Sequence, residues 1–70
     1  MAMRHEARMS EPDRKRVQEA LQKQGFYDGP ISGDFGPRTR SAIRDFQRHI
    51  GSQPTGHLSA EEAEHLVRSE

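Results

Sequence analysis

Apolar side chains along this chain recur at three- and four-residue intervals in three separate stretches, the spacing of one buried face on an α-helix. In the first stretch Val17, Ala20 and Leu21 form the stripe, while Arg14, Lys15, Arg16, Glu19, Gln22 and Lys23 occupy the other faces. Start signals precede it. Ser10 can cap through its hydroxyl, Pro12 suits a first turn whose amide donors are free anyway, and Asp13 complements the positive helix end. Gly25 is the natural left-handed residue after the last turn, and Phe26 can fold back onto the helix end. The second stretch opens with Gly36 as cap and Pro37 at the first helical position. It sets Thr39, Ala42, Ile43, Phe46 and Ile50 along one face and stops at Gly51. In the third, Ser59 and Glu62 have capping-box spacing, Leu58 and Ala63 that of a hydrophobic staple, and Leu66 and Val67 continue the apolar face.

Strand character is confined to "FYDGPIS", which a proline and a glycine interrupt. The prediction is an all-α fold: a compact three-helix bundle formed by residues 10–70, with a glycine-rich loop between helices 1 and 2. Residues 1–9, polar and without apolar periodicity, read as a flexible N-terminal tail. Within the loop "YDGPISGD", Gly29 and Gly33 are expected at positive φ on either side of Ile31, so that Ile31 and Phe35 turn inward as plugs. Loop amides and carbonyls would then face outward near Tyr27, Asp28 and Asp34. Gln18 and Gln47 stand beside core positions, where a buried amide needs partners; loop backbone is the expected one.

Composition restricts what such a bundle can do. Seventy residues make one domain, which buries only about 60% of the surface its unfolded chain exposes. With no cysteine there is no disulfide, thiolate metal site or cysteine nucleophile, so stability must come from packing. Eleven basic residues balance eleven acidic ones, which removes the long-range field of a nucleic-acid or anionic-membrane binder. The acidic third helix "SAEEAEHLVRSE" also speaks against a helix-turn-helix reader of DNA. No apolar run reaches the ~18 residues of a membrane span, and "MAMRHEARMS" lacks the apolar core of a secretory signal. His5, His49, His57 and His65 form no short ligand pair, so neither metal nor cofactor is expected. No histidine, serine and acid set has the spacing of a triad, and the expectation is a protein without catalysis.

The ordered string V-Q-x-x-L, Q-G-F-Y-D-G-P-I-S-G-D-F-G-P-R-T, A-I-x-x-F-Q and P-T-G-H-L-S, running from Val17 to about Val67, resembles the peptidoglycan-binding-domain-like family. These are small helical modules attached to bacterial cell-wall hydrolases and related envelope proteins. The resemblance implies a three-helix fold, non-catalytic binding to peptidoglycan through glycan or stem peptide, a monomer tethered to a catalytic domain such as a hydrolase, and a place in the periplasm or extracellular envelope. One position departs from it: Ser32 stands where members commonly carry an aspartate before the second loop glycine. A structural or protein-interaction module that keeps the fold without binding glycan is the alternative.

The candidate ligand-binding residues are Tyr27, Asp28, Gly29, Asp34 and Arg38. Tyr27 offers an apolar face with a polar tip, to stack on a ligand or else to cover the end of helix 1. The carboxylates and loop amides can pair with amides or hydroxyls, and Arg38, where the loop meets helix 2, can attract a carboxylate. Arg40, Arg44 and Arg48 extend that charge as a basic edge at i, i+4, i+8.

Overall fold

The computed structural model describes residues 8–68 of the chain. Three helices carry it, α1 (Glu11–Lys23), α2 (Pro37–His49) and α3 (Ala60–Arg68), and there is no strand among the described residues. The fold is the expected all-α three-helix arrangement, with α1 packed against both α2 and α3.

Each helix ends where its sequence signals stand. Ser10 Oγ accepts the Asp13 amide at 3.3 Å, with Glu11 and Asp13 in the first turn of α1. At the far end Phe26 N–H reaches Leu21 C=O (2.9 Å) and Gly25 N–H reaches Gln22 C=O (3.1 Å), a Schellman closure that the left-handed Gly25 permits. The same pair of bonds, from Gly51 to Arg48 and Ser52 to Gln47, closes α2. The capping box of α3 is formed in both directions. Glu62 N–H donates to Ser59 Oγ at 3.1 Å, and Ser59 N–H donates to Glu62 Oε1 at 3.0 Å.

The apolar stripes meet in one core in which Leu21, Ile43, Phe46, Leu58 and Leu66 are fully buried, joined by Val17, Ala20 and Ala42. Burying a side chain of this size contributes about 1.5–3 kcal/mol relative to leaving it in water, so these few residues dominate the stability of a domain this small. Phe26 packs edge-on against Phe46 at 6.0 Å between ring centres, which fastens the end of α1 to α2. Phe35 and Ile31 are only half-buried at the margin of the core, and the Arg40 guanidinium lies 5.4 Å over the Phe35 ring. The inward plugs expected at these two positions are therefore lids on the core edge. Met9 is drawn into the core, and its carbonyl accepts Arg14 Nη1 at 2.6 Å. Of the segment read as a tail, residues 1–7 lie outside the described residues.

Glu62 also ties α3 to the preceding connection. Burial would raise its pKa, but hydrogen bonds from the Ser59 backbone and from the Gln47, Ser52 and Ser59 side chains outweigh this and leave it below the ordinary glutamate value. The sign follows directly. With the folded pKa lowered, the unfolded state binds more protons in acid. The Glu62 contribution is complete above the unfolded value of about 4.3 and is lost as pH falls through the lower folded one. Thermal midpoints measured across mildly acidic pH should fall less steeply for Glu62→Gln than for the parent chain; parallel slopes would contradict this.

Candidate functional site

The segment between α1 and α2, residues 24–36, is held from below by side chains of α1. Gln18, buried beside Val17, uses both ends of its amide: Oε1 accepts the Gly33 N–H at 2.8 Å, and Nε2 donates to the Asp34 carbonyl at 2.9 Å and to Thr39 Oγ1 at 3.1 Å. One turn earlier on the same helix face, Arg14 donates Nε to the Gly33 carbonyl at 2.6 Å. Gly33 is thus gripped at both its amide and its carbonyl, and it adopts φ +85°, a conformation glycine takes without steric cost. A side chain there costs about 1–2 kcal/mol of backbone strain. A Cβ would also stand 2.9 Å from Glu11 Cγ, a flexible neighbour that can give way. Gly33→Val is expected to lower the thermal midpoint by about 4–16 °C in a domain of this size. A variant melting with the parent would refute the strain.

Gly29 is needed for a different reason from the one its sequence context suggests. Its φ is not positive; it lacks a side chain because there is no room for one. A Cβ would lie 2.7 Å from the Tyr27 hydroxyl oxygen, 2.8 Å from Tyr27 Cζ and 3.0 Å from Arg38 Cδ. Tyr27 and Arg38 therefore close on Gly29.

The orientation of Tyr27 likewise departs from an outward stacking face. The residue is 6% exposed and belongs to the core, and its hydroxyl donates to the Pro30 carbonyl at 2.6 Å. Of the two readings, the cover for the bundle is the one that forms. The expected outward platform of loop amides is also largely spent internally. Besides the Gly33 and Asp34 groups bound by Gln18 and Arg14, the Asp34 amide donates to Ser32 Oγ at 3.1 Å. Ser32 thereby supplies the local turn bond for which an aspartate carboxylate is the commoner acceptor. What the loop presents to solvent is side-chain charge: Asp28 and Asp34 are exposed, as is Arg38 in the first turn of α2.

A second loop repeats this construction, with Gln47 on loop backbone as expected; the arginine that takes each glycine carbonyl was not foreseen. Gln47, buried in α2, accepts the Gly56 N–H on Oε1 at 3.0 Å and donates Nε2 to the next carbonyl, of His57, at 2.9 Å. Its Nε2 is also shared with Thr55 Oγ1 at 3.2 Å and Glu62 Oε1 at 3.1 Å. Arg40 Nη1 donates to the Gly56 carbonyl at 3.0 Å, the role Arg14 plays at Gly33. In each loop a glutamine holds a left-handed glycine and the residue after it, an arginine takes the glycine carbonyl, and a threonine hydroxyl accepts from the glutamine. The available signal was a glutamine directly following a core residue in both helices, Val17-Gln18 and Phe46-Gln47. The basic edge is accordingly not a free row of cations. Arg40 is bound to Gly56 and lies on Phe35, and Arg48 pairs with Asp45 at 3.0 Å.

On another side of the molecule a groove of about 380 Å³ runs between α1 and α3, with Met9, Val17, Ala63 and Val67 in its lining. None of the candidate loop residues lines it. Among the described residues no group of three or more histidine, aspartate or glutamate side chains is placed to hold a metal ion, and no helix is long and apolar enough to cross a membrane.

Comparison with known proteins gives this scaffold its relatives. The chain is 47% identical over 51 residues to the "Putative OxPP cycle protein OpcA" of Synechocystis sp., a match covering 73% of this chain and 10% of that protein. It is 42% identical over 45 residues to the localization factor PodJL of Caulobacter vibrioides, covering 64% of this chain and 5% of that protein. The chain thus spans a tenth or less of the length of these curated relatives. No solved structure matches it. The family described as "Putative peptidoglycan binding domain" matches residues 10–66, from the cap of α1 through the last buried leucine of α3, and the chain belongs to that family.

Proposed function

We propose that this domain is a non-catalytic module that binds bacterial cell-wall peptidoglycan and holds a longer protein, such as one with a wall hydrolase domain, at the wall. The observation that carries the reading is membership of the peptidoglycan binding domain family over residues 10–66. The contact surface is the exposed charge on the loop and the start of α2: Asp28, Asp34 and Arg38, supported from beneath by Gly29 and Tyr27. On this reading the domain works as a monomer in the cell envelope and contributes binding without chemistry.

Contacts made by exposed charges are individually weak and screened by salt, so useful retention depends on repeated encounters along a polymer or on a tethered partner. Co-sedimentation with purified insoluble sacculi tests the reading. The folded domain should pellet with sacculi at low salt and be released as salt rises, and Arg38→Ala should pellet less while keeping the parent's thermal midpoint. Tyr27→Ala is not a clean probe of contact, because the ring is part of the core.

A second reading has its own support. One relative is a localization factor and another an OxPP cycle protein. A module that binds another protein through the same loop fits the name of the localization factor. A folded domain that stays wholly in the supernatant with sacculi at low salt would favour it over wall binding.

A further inference from the structure

We infer that Asp28 and Arg38 together recognise a zwitterionic group of the stem peptide, a free primary amine and a free carboxylate carried by one diamino acid residue, as on an uncrosslinked arm; this rests on the wall-binding reading above. The two residues meet at Gly29. Asp28 directly precedes Gly29, and Arg38 lies along Gly29, its Cδ 3.0 Å from the place a Cβ would occupy. Both are exposed. Elsewhere on this surface opposite charges have closed on each other, Arg48 with Asp45 at 3.0 Å and Arg68 with Glu64 at 2.7 Å. Asp28 and Arg38 have not formed such a pair, so each retains its capacity for a ligand.

The floor between them is fixed. The Tyr27 hydroxyl is bound to the Pro30 carbonyl and stands against Gly29, filling the space a side chain there would take. A ligand at this point of the loop therefore has both a positive and a negative group within reach. A simple anion gains from Arg38 and loses to Asp28, a simple cation does the reverse, and a neutral sugar gains from neither. A group bearing both charges gains from both. Crosslinking converts the amine to a neutral amide and removes half of that match, so the site discriminates for arms that have not been joined.

Three preparations of sacculi separate the two halves of the site: untreated, amine-capped with acetic anhydride, and carboxylate-capped by carbodiimide-driven amidation. Each treatment should lower retention of the wild-type domain by about two- to fivefold, the scale of an exposed charge contact. Asp28→Asn should lose its response to amine capping and keep its response to carboxylate capping. Arg38→Ala should show the converse, and Arg48→Ala, outside the site, should respond like wild type. Thermal midpoints equal to the parent's establish that the exposed substitutions leave the fold intact. Wild-type retention indifferent to amine capping, or an Asp28→Asn domain that still responds to it fully, overturns this assignment and leaves wall binding standing. Absence of wild-type retention on untreated sacculi overturns both.

Discussion

Phe46→Ala is expected to abolish the cooperative thermal transition of this domain or to lower its midpoint by at least about 12 °C. The ring is fully buried, lies at the meeting of all three helices, and touches Phe26 from the end of α1 and His65 from α3. Removing such a ring costs about 3–5 kcal/mol, because the lost transfer free energy is joined by the cavity left behind. A chain of 70 residues has a total stability of only about 4–10 kcal/mol. Phe35→Ala provides the contrast. Sequence spacing groups Phe35 with Phe46 and Leu21 in one core, but its half-buried ring at the core margin should cost clearly less. Circular dichroism melts of the two variants decide the matter, and equal losses would mean that the hierarchy of burial is wrong.

Gln18→Leu is expected to destabilise the domain by about 1.5–4.5 kcal/mol, although it replaces a buried polar side chain with an apolar one of similar size. The reason lies in what the amide leaves behind. The Gly33 amide would be stranded in a buried place, at about 1–3 kcal/mol, and the part-buried Asp34 carbonyl would lose a bond worth about 0.5–1.5 kcal/mol. Arg14 would still hold the Gly33 carbonyl, so the loop should loosen and not detach. Amide exchange at Gly33 should therefore accelerate by more than the global loss of stability accounts for. A Gln18→Leu variant as stable as the parent would show that the clamp contributes nothing. Because Gln47 repeats the arrangement around Gly56, Gln47→Leu should behave similarly, with the added loss of its bond to Glu62.

The helices were legible because the forces that start and stop them act over three or four residues. Ser10 with Asp13, Ser59 with Glu62, and Gly25 with the last turn of α1 are neighbours in sequence before they are neighbours in space. The candidate site was less legible. Asp28, Asp34 and Arg38 are at the surface as the sequence suggested. Tyr27 and Gly29 serve the loop from beneath, because the tyrosine hydroxyl finds a carbonyl three residues on and occupies the space a Gly29 side chain would need.

The amino-acid sequence by itself determined three helices, their caps, the stripe each one buries and the long ordered string that marks the family, all properties of local periodicity or residue order. Only the tertiary structure decided where the loop's polar groups go. Gly33 meets Gln18 across 15 residues and Arg14 across 19, and Gly56 meets Arg40 across 16. Such pairings have no periodic signature, since they depend on which helix faces pack together and on every buried amide and carbonyl requiring a partner once water is excluded. That requirement turns the loop's backbone inward and leaves the side chains of Asp28, Asp34 and Arg38 exposed at the surface.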